Sequence, residues 1–156
     1  MKKSVIALVL AVVLVLTGCA AEETAKVFTA EELSVTLTTA FKEKQYEGFT
    51  ASFESSKVLM LALKESRSLF PEPPATLEDY VSAVATANGL EGITPQEKDG
   101  LTWFTYQREV EKTPFTYYVF VYANEDAFWL VQFACQEKDA IALESQIFAY
   151  AGSVRV

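Results

Sequence analysis

Apolar and polar positions alternate with a period of two through most of this chain, and in only two stretches does the spacing lengthen to that of a helix. Leu33, Val35 and Leu37 alternate with Ser34, Thr36 and Thr38, which predicts a half-buried strand. Phe41-Lys42-Glu43-Lys44-Gln45-Tyr46-Glu47-Gly48 is polar and turn-like, and residues 49–53 and 57–65, joined through Ser55-Ser56, read as an antiparallel pair. Pro71-Glu72-Pro73-Pro74 ends that pair, because proline has no ladder N–H to donate. Thr76 as N-cap, Asp79 three residues later, and Leu77, Tyr80, Val81 and Val84 at helical spacing predict a helix closed by Asn88-Gly89. Residues 93–98 and 101–110 flank Asp99-Gly100, the pair that supplies the positive φ values of a type I′ hairpin turn. Lys112-Thr113-Pro114 turns the chain into 115–122, and Asn124-Glu125-Asp126 turns it into 128–135, which completes a meander. Asp139 is expected to cap a last helix bearing Ile141, Leu143, Ile147, Phe148 and Ala151 and stopped by Gly152, with 153–156 as an edge strand.

The meander strands are apolar on both faces. Trp103, Thr105 and Gln107 alternate with Phe104, Tyr106 and Arg108, and Tyr117, Val119 and Val121 with Tyr118, Phe120 and Tyr122. A sheet of that kind needs cover on both sides. The expected architecture is α+β, an antiparallel meander flanked by two amphipathic helices.

The first residues follow a different pattern. Lys2 and Lys3 precede an apolar run over 5–16, and Thr17-Gly18 lead to Cys19, the layout of a secretory signal. The run's twelve residues cover about 18 Å of a roughly 30 Å hydrocarbon core, too little for a spanning helix. Leu16-Thr17-Gly18-Cys19 resembles the lipobox of bacterial lipoproteins, which implies cleavage before Cys19 and a lipid on its sulfur. The expected organisation is a signal peptide over 1–18, a lipidated cysteine with a short tether over 19–26, and one domain over 27–156. Ala20 is not the aspartate that resembles an inner-membrane retention signal, so in a two-membrane organism the outer membrane is expected.

Composition narrows the chemistry. Cleavage after residue 18 of 156 leaves 138 residues, enough for one domain with a real core, and removes two of the 13 basic residues against 21 acidic ones. The mature net charge is then near −10. Such a surface repels phosphate backbones, so nucleic acid is not an expected partner. With Cys19 lipidated, Cys135 has no intramolecular partner, and its place in an apolar run reads as a buried structural thiol.

No histidine occurs, which removes the commonest general base, the histidine-dependent triads and the usual zinc ligands. The carboxylate pairs Glu22-Glu23, Glu31-Glu32, Glu78-Asp79 and Glu125-Asp126 are neighbours in sequence and point different ways, so they read as surface or cap charge. Asn124-Glu125-Asp126 lacks the spacing of a calcium loop, and no glycine-rich phosphate motif is present. Ser56-Lys57 and Lys64-Glu65-Ser66 are the formal candidates for a serine–lysine dyad. Tyr46, Tyr106, Tyr117, Tyr118, Tyr122 and Trp103 could form an exposed binding surface or fill the core, and Tyr117 and Tyr122 lie on opposite faces. No catalytic, metal or cofactor residues are assigned.

The order of a short β pair, the helix Thr76-Leu77-Glu78-Asp79-Tyr80-Val81, an antiparallel meander and a C-terminal helix near Tyr150-Ala151-Gly152-Ser153-Val154 resembles the PsbP-like group. The resemblance implies an antiparallel sheet between helices and non-catalytic work: protein docking, complex assembly or envelope maintenance. The metal-linked and basic contact residues of the photosystem members have no counterpart in this acidic, histidine-free chain. The expected function is a non-enzymatic binding or assembly module, anchored to the membrane through Cys19 and partnered by an envelope protein. The alternatives are capture of a small molecule and, behind it, a carboxylate or serine–lysine hydrolase.

Overall fold

The structure is a computed structural model that describes residues 23–156. The signal segment, Cys19, Glu22 and the start of the tether lie outside the described residues. Nine strands and two helices follow: β1 (Ala25–Ala30), β2 (Leu33–Thr38), β3 (Lys42–Glu43), β4 (Ala51–Glu54), β5 (Leu59–Ser66), α1 (Leu77–Ala87), β6 (Gln96–Lys98), β7 (Leu101–Val110), β8 (Thr113–Ala123), β9 (Ala127–Gln136) and α2 (Glu137–Ser153), with a 3₁₀ turn at Arg67–Leu69. Seven strands form one sheet in the order β3-β4-β5-β9-β8-β7-β6, antiparallel throughout, and β1 and β2 pair as a separate hairpin. The fold is α+β.

The alternation of each strand divides the interior into two cores. Tyr80, Val81 and Val84 of α1 cover Leu59, Leu61, Phe104, Tyr117, Val119 and Leu130 on one face. Ile147, Tyr150 and Ala151 of α2, together with Phe28, Leu33, Val35 and Leu37 of the hairpin, cover Met60, Phe120, Trp129, Val131 and Phe133 on the other. Two helices flanking the sheet are therefore only part of the cover: on the α2 side a β-hairpin completes it. A single helix, even the 17-residue α2, cannot shield that width of apolar sheet.

Local signals placed α1 well. Thr76 Oγ1 accepts the Asp79 N–H at 3.1 Å while Asp79 Oδ2 accepts the Thr76 N–H at 3.2 Å, a complete capping box. At the other end Leu90 N–H reaches Ala85 O (2.9 Å) and Gly89 N–H reaches Thr86 O (3.3 Å), with Gly89 at φ +64°, a Schellman stop. Asp99 (φ +54°) and Gly100 (φ +76°) make the expected hairpin turn.

Elsewhere boundaries moved. The turn expected at Lys112-Thr113-Pro114 falls on Glu111 and Lys112, both at positive φ (48° and 66°), and Pro114 lies inside β8. It is tolerated because the β8–β9 register starts only at Phe115↔Gln136. The strand expected over 93–98 is reduced to Gln96–Lys98. Lys42 and Glu43, expected in a turn, pair with Glu54 and Phe53 as a short edge strand. The domain begins earlier than residue 27: Ala25 and Lys26 belong to β1, Thr24 exchanges hydrogen bonds with Thr39 (2.8 and 3.2 Å), and Thr38 Oγ1 donates to Glu23 at 3.0 Å. Asp139 does not cap α2. The helix starts at Glu137 directly from β9, its N-cap Gln136 makes no side-chain cap bond, and Glu137 and Asp139 instead place negative charge in the first turn. Gly152 does not stop α2 either; the helix runs to Ser153, where the chain leaves so that Arg155 can pair with Ser34 of the hairpin. The edge strand expected over 153–156 is that single bridge.

Candidate functional site

The aromatic residues are mostly core. Tyr106 and Tyr117 stack 4.6 Å apart on the α1 side, both buried, and Tyr118 is buried on the α2 side with its hydroxyl donating to Ala140 O at 3.3 Å. Burial, reinforced by the Glu144 carboxylate, pushes the Tyr118 hydroxyl up to about 12. Tyr122 donates to Ala151 O at 2.8 Å and Trp103 packs edge-on against Phe148, both half-buried. Tyr117 and Tyr122 occupy opposite faces. Side-chain alternation alone places them so.

Tyr46 is half-buried at the margin of the α1-side core. It borders a depression of about 400 Å³ lined by residues 43–52, the connection between β3 and β4. Glu54 organises this rim: it accepts the Tyr46 hydroxyl at 2.7 Å and the Lys44 ammonium at 3.1 Å. The Glu54 hydrogen bond raises the Lys44 pKa, so the lysine stays charged. Burial and the same carboxylate raise that of Tyr46. A fixed ammonium, a phenol and the Glu43 and Glu47 carboxylates of the rim can hold a small polar solute.

The other candidates are occupied in structural contacts. Glu78 and Asp79 lie in the first turn of α1, and Glu32 in the β1–β2 turn pairs with Lys64 at 2.7 Å. Asn124 Oδ1 accepts the N–H groups of Asp126 (3.1 Å) and Ala127 (2.9 Å), so Asn124-Glu125-Asp126 is an Asx turn. Ser66 Oγ is 2.8 Å from Ser68 Oγ and Lys64 Nζ is held by Glu32, so 64–66 is not organised as a dyad. Ser56-Lys57 lies in the β4–β5 turn, whose bonds are made by the Ser55 hydroxyl. No group of three or more histidine, cysteine, aspartate or glutamate side chains is placed to hold a metal among the described residues. Cys135 is fully buried and free, and burial, then the Asp139 carboxylate, pushes its thiol up to about 11. The thiol is protonated at neutral pH and is a core side chain.

Two polar groups in the α1-side core were not singled out from the sequence. Glu65 is buried with its carboxylate 2.5 Å from the Tyr80 hydroxyl, and Tyr80 stacks on Phe128 at 4.6 Å. Burial raises the Glu65 pKa, against the Tyr80 hydrogen bond that lowers it. Gln132 is fully buried, its Oε1 accepting from Tyr106 at 3.3 Å and its Nε2 without a partner. The signal for Glu65 is in the alternation, since it shares a strand face with Leu59, Leu61 and Leu63.

No protein-family model and no curated protein sequence matches the chain. In three dimensions it is similar to the cyanobacterial PsbP (CyanoP) of Synechocystis sp. PCC 6803, with a TM-score of 0.54 at 13% identity over 90% of this chain and 98% of that one. A protein of Bacteroides thetaiotaomicron VPI-5482 gives 0.51 at 11% identity over 80% of this chain, which spans 45% of that protein. LpqN of Mycobacterium tuberculosis, involved in cell envelope biogenesis, gives 0.49 at 7% identity over 86% and 91%. The domain therefore has a PsbP-like fold. At such identities the likeness is one of fold.

Proposed function

We propose that the chain is a lipid-anchored extracytoplasmic binding module that holds an envelope protein partner near the membrane without transforming it. The observation that carries this reading is the lipobox-like Leu16-Thr17-Gly18-Cys19, four residues ahead of Glu23, where the ordered domain is already hydrogen-bonded. Among the described residues no helix is long and apolar enough to cross a membrane. Carboxylates and serines weighed as catalysts are, among the described residues, engaged in structural contacts such as the cap of α1, the Asx turn at Asn124 and the Glu32–Lys64 pair, which supports a binding rather than a chemical role.

The test is metabolic labelling with an alkyne-tagged fatty acid in a bacterial host, followed by membrane fractionation and crosslinking. Wild type is expected to take up label, sediment with membranes and crosslink to a discrete membrane protein; Cys19→Ala loses label and the crosslink. An unlabelled mature protein in the soluble fraction overturns the anchor, and an identical crosslink pattern for Cys19→Ala shows that tethering does not set the partner. The depression at 43–52 favours a second reading, capture of a small polar solute at Tyr46 and Lys44. Unlike protein docking, that activity is lost in Tyr46→Ala and does not need Cys19.

A further inference from the structure

The hairpin and α2 form a layer with one surface on the sheet and one facing outward. In the hairpin, Phe28, Leu33, Val35 and Leu37 point inward. The register Ala25↔Thr38, Val27↔Thr36 and Thr29↔Ser34 therefore sets the outward side chains, and none of the six is charged. In α2, Ala140, Ile147, Tyr150 and Ala151 point inward. The opposite arc carries Ile141, Ala142, Ser145, Gln146, Ala149 and Gly152, all exposed, with Lys138 as its charged residue. Two of the carboxylates flanking this arc reach toward the sheet, Glu137 accepting from Gln107 at 3.0 Å and Glu144 from the Tyr118 hydroxyl at 3.4 Å, and Asp139 stands half-buried at its other margin. Ser153 Oγ accepts the Thr36 N–H at 2.9 Å and Arg155 pairs with Ser34, so hairpin and helix join edge to edge. The result is an outer surface poor in carboxylates on an acidic protein, with Val27 62% and Ile141 92% exposed. Its charged side chains are Lys138 and Arg155, which shares the face of its bridge partner Ser34, with Glu23 held by Thr38 at its edge.

The other side differs. From Ser68 to Pro95, the segment that holds α1, the chain carries Glu72, Glu78, Asp79 and Glu91 and no lysine or arginine. The way the chain leaves the domain points the same way. Glu23 and Thr24 are hydrogen-bonded to Thr38 and Thr39 at the edge of this outer surface, and Cys19 is four residues earlier, at most about 14 Å away along an extended chain.

We propose that this outer surface of the hairpin and α2 is the face on which the protein lies against the lipid bilayer. This rests on the lipid-anchor reading above. A carboxylate-bearing face is repelled by anionic lipid within a Debye length, so the carboxylate-poor face beside the anchor settles on the headgroups while the acidic α1 side faces away. Val27 and Ile141 contribute apolar contact, and Lys138 meets lipid phosphate. The α1 face and the depression at 43–52 are left open to a partner.

The experiment uses the full chain, lipidated in cells, purified in detergent and transferred to preformed vesicles of phosphatidylethanolamine with a minority of phosphatidylglycerol. Ala149→Cys and Ser145→Cys probe the outer face of α2, Thr86→Cys the exposed face of α1, and buried Cys135 does not compete for label. A water-soluble maleimide is expected to label the two α2 positions about tenfold more slowly on vesicles than in detergent, with Thr86→Cys unchanged. Adding Val27→Glu and Ile141→Glu, both on exposed positions, restores the detergent rate at Ala149→Cys. Equal rates at all three positions in a protein that floats with the vesicles overturn the docking face and leave the anchor standing. A protein that does not float overturns the anchor and this face with it.

Discussion

Glu65 is the residue whose surroundings oppose its chemistry most. It stands in the α1-side core with Tyr80 as hydrogen-bond donor, and burial raises its pKa above the ordinary carboxylate value of 4.5. The native state thus binds this proton more tightly than the unfolded chain does, so its contribution to stability is most favourable below about pH 4.5 and declines as pH rises through the raised value. Glu65→Gln keeps an acceptor for Tyr80 and removes the buried charge. The variant is expected to gain on the order of 1 kcal/mol at pH 7, allowing for residual hydration of the carboxylate, and almost nothing at pH 4. Urea midpoints at the two pH values check this, and a lower midpoint at pH 7 would show that the wild-type charge has a partner. The strand period of two makes the inward direction of Glu65 readable, but not that α1 closes over it. Tyr80 lies 15 residues downstream, and that contact exists only once the helix packs.

α2 shows how far a single element can be read. Ile141, Leu143, Ile147, Phe148 and Ala151 are all apolar, yet Ile141 and Ile147 are six residues apart and so about 240° apart around a helix. Both cannot face one core. The structure buries Ile147 completely and leaves Ile141 92% exposed, because Tyr122, Tyr118 and the hairpin fix the inward seam at Ala140, Ile147, Tyr150 and Ala151. Ile147→Ala is expected to cost about 3 kcal/mol and Ile141→Lys less than about 0.5 kcal/mol, both by chemical denaturation of the unlipidated domain. Comparable losses at the two positions would reverse this assignment of faces. α1 was legible to the residue because its ends are marked by Thr76, Asp79 and Gly89, whose bonds span no more than a few residues. The ends of α2 were not, because a strand leads directly into it and a tertiary bridge at Arg155 follows it.

At the scale of the molecule, β5, β8 and β9 each send alternate residues into both cores, so neither core can melt without disturbing the strands of the other. Trp103 and Trp129 both lie on the α2 side, which makes intrinsic fluorescence a probe of that core, whereas far-UV circular dichroism follows α1 as well. The two urea transitions are expected to coincide, and separated midpoints would mean that the layers unfold independently. The sequence by itself determined the strands of the meander, the Asp99-Gly100 turn, both caps of α1, the burial of Cys135 and the absence of histidine chemistry. Each of these depends on side-chain period, φ sign or residue type within a few positions. Only the tertiary structure decided that the hairpin shares one face with α2, that most of the aromatics fill the core, and that a carboxylate-poor outer surface forms where the chain enters the domain. Those outcomes rest on contacts such as Thr36 with Ser153, 117 residues apart, and no local pattern encodes which distant element will exclude water from a given face.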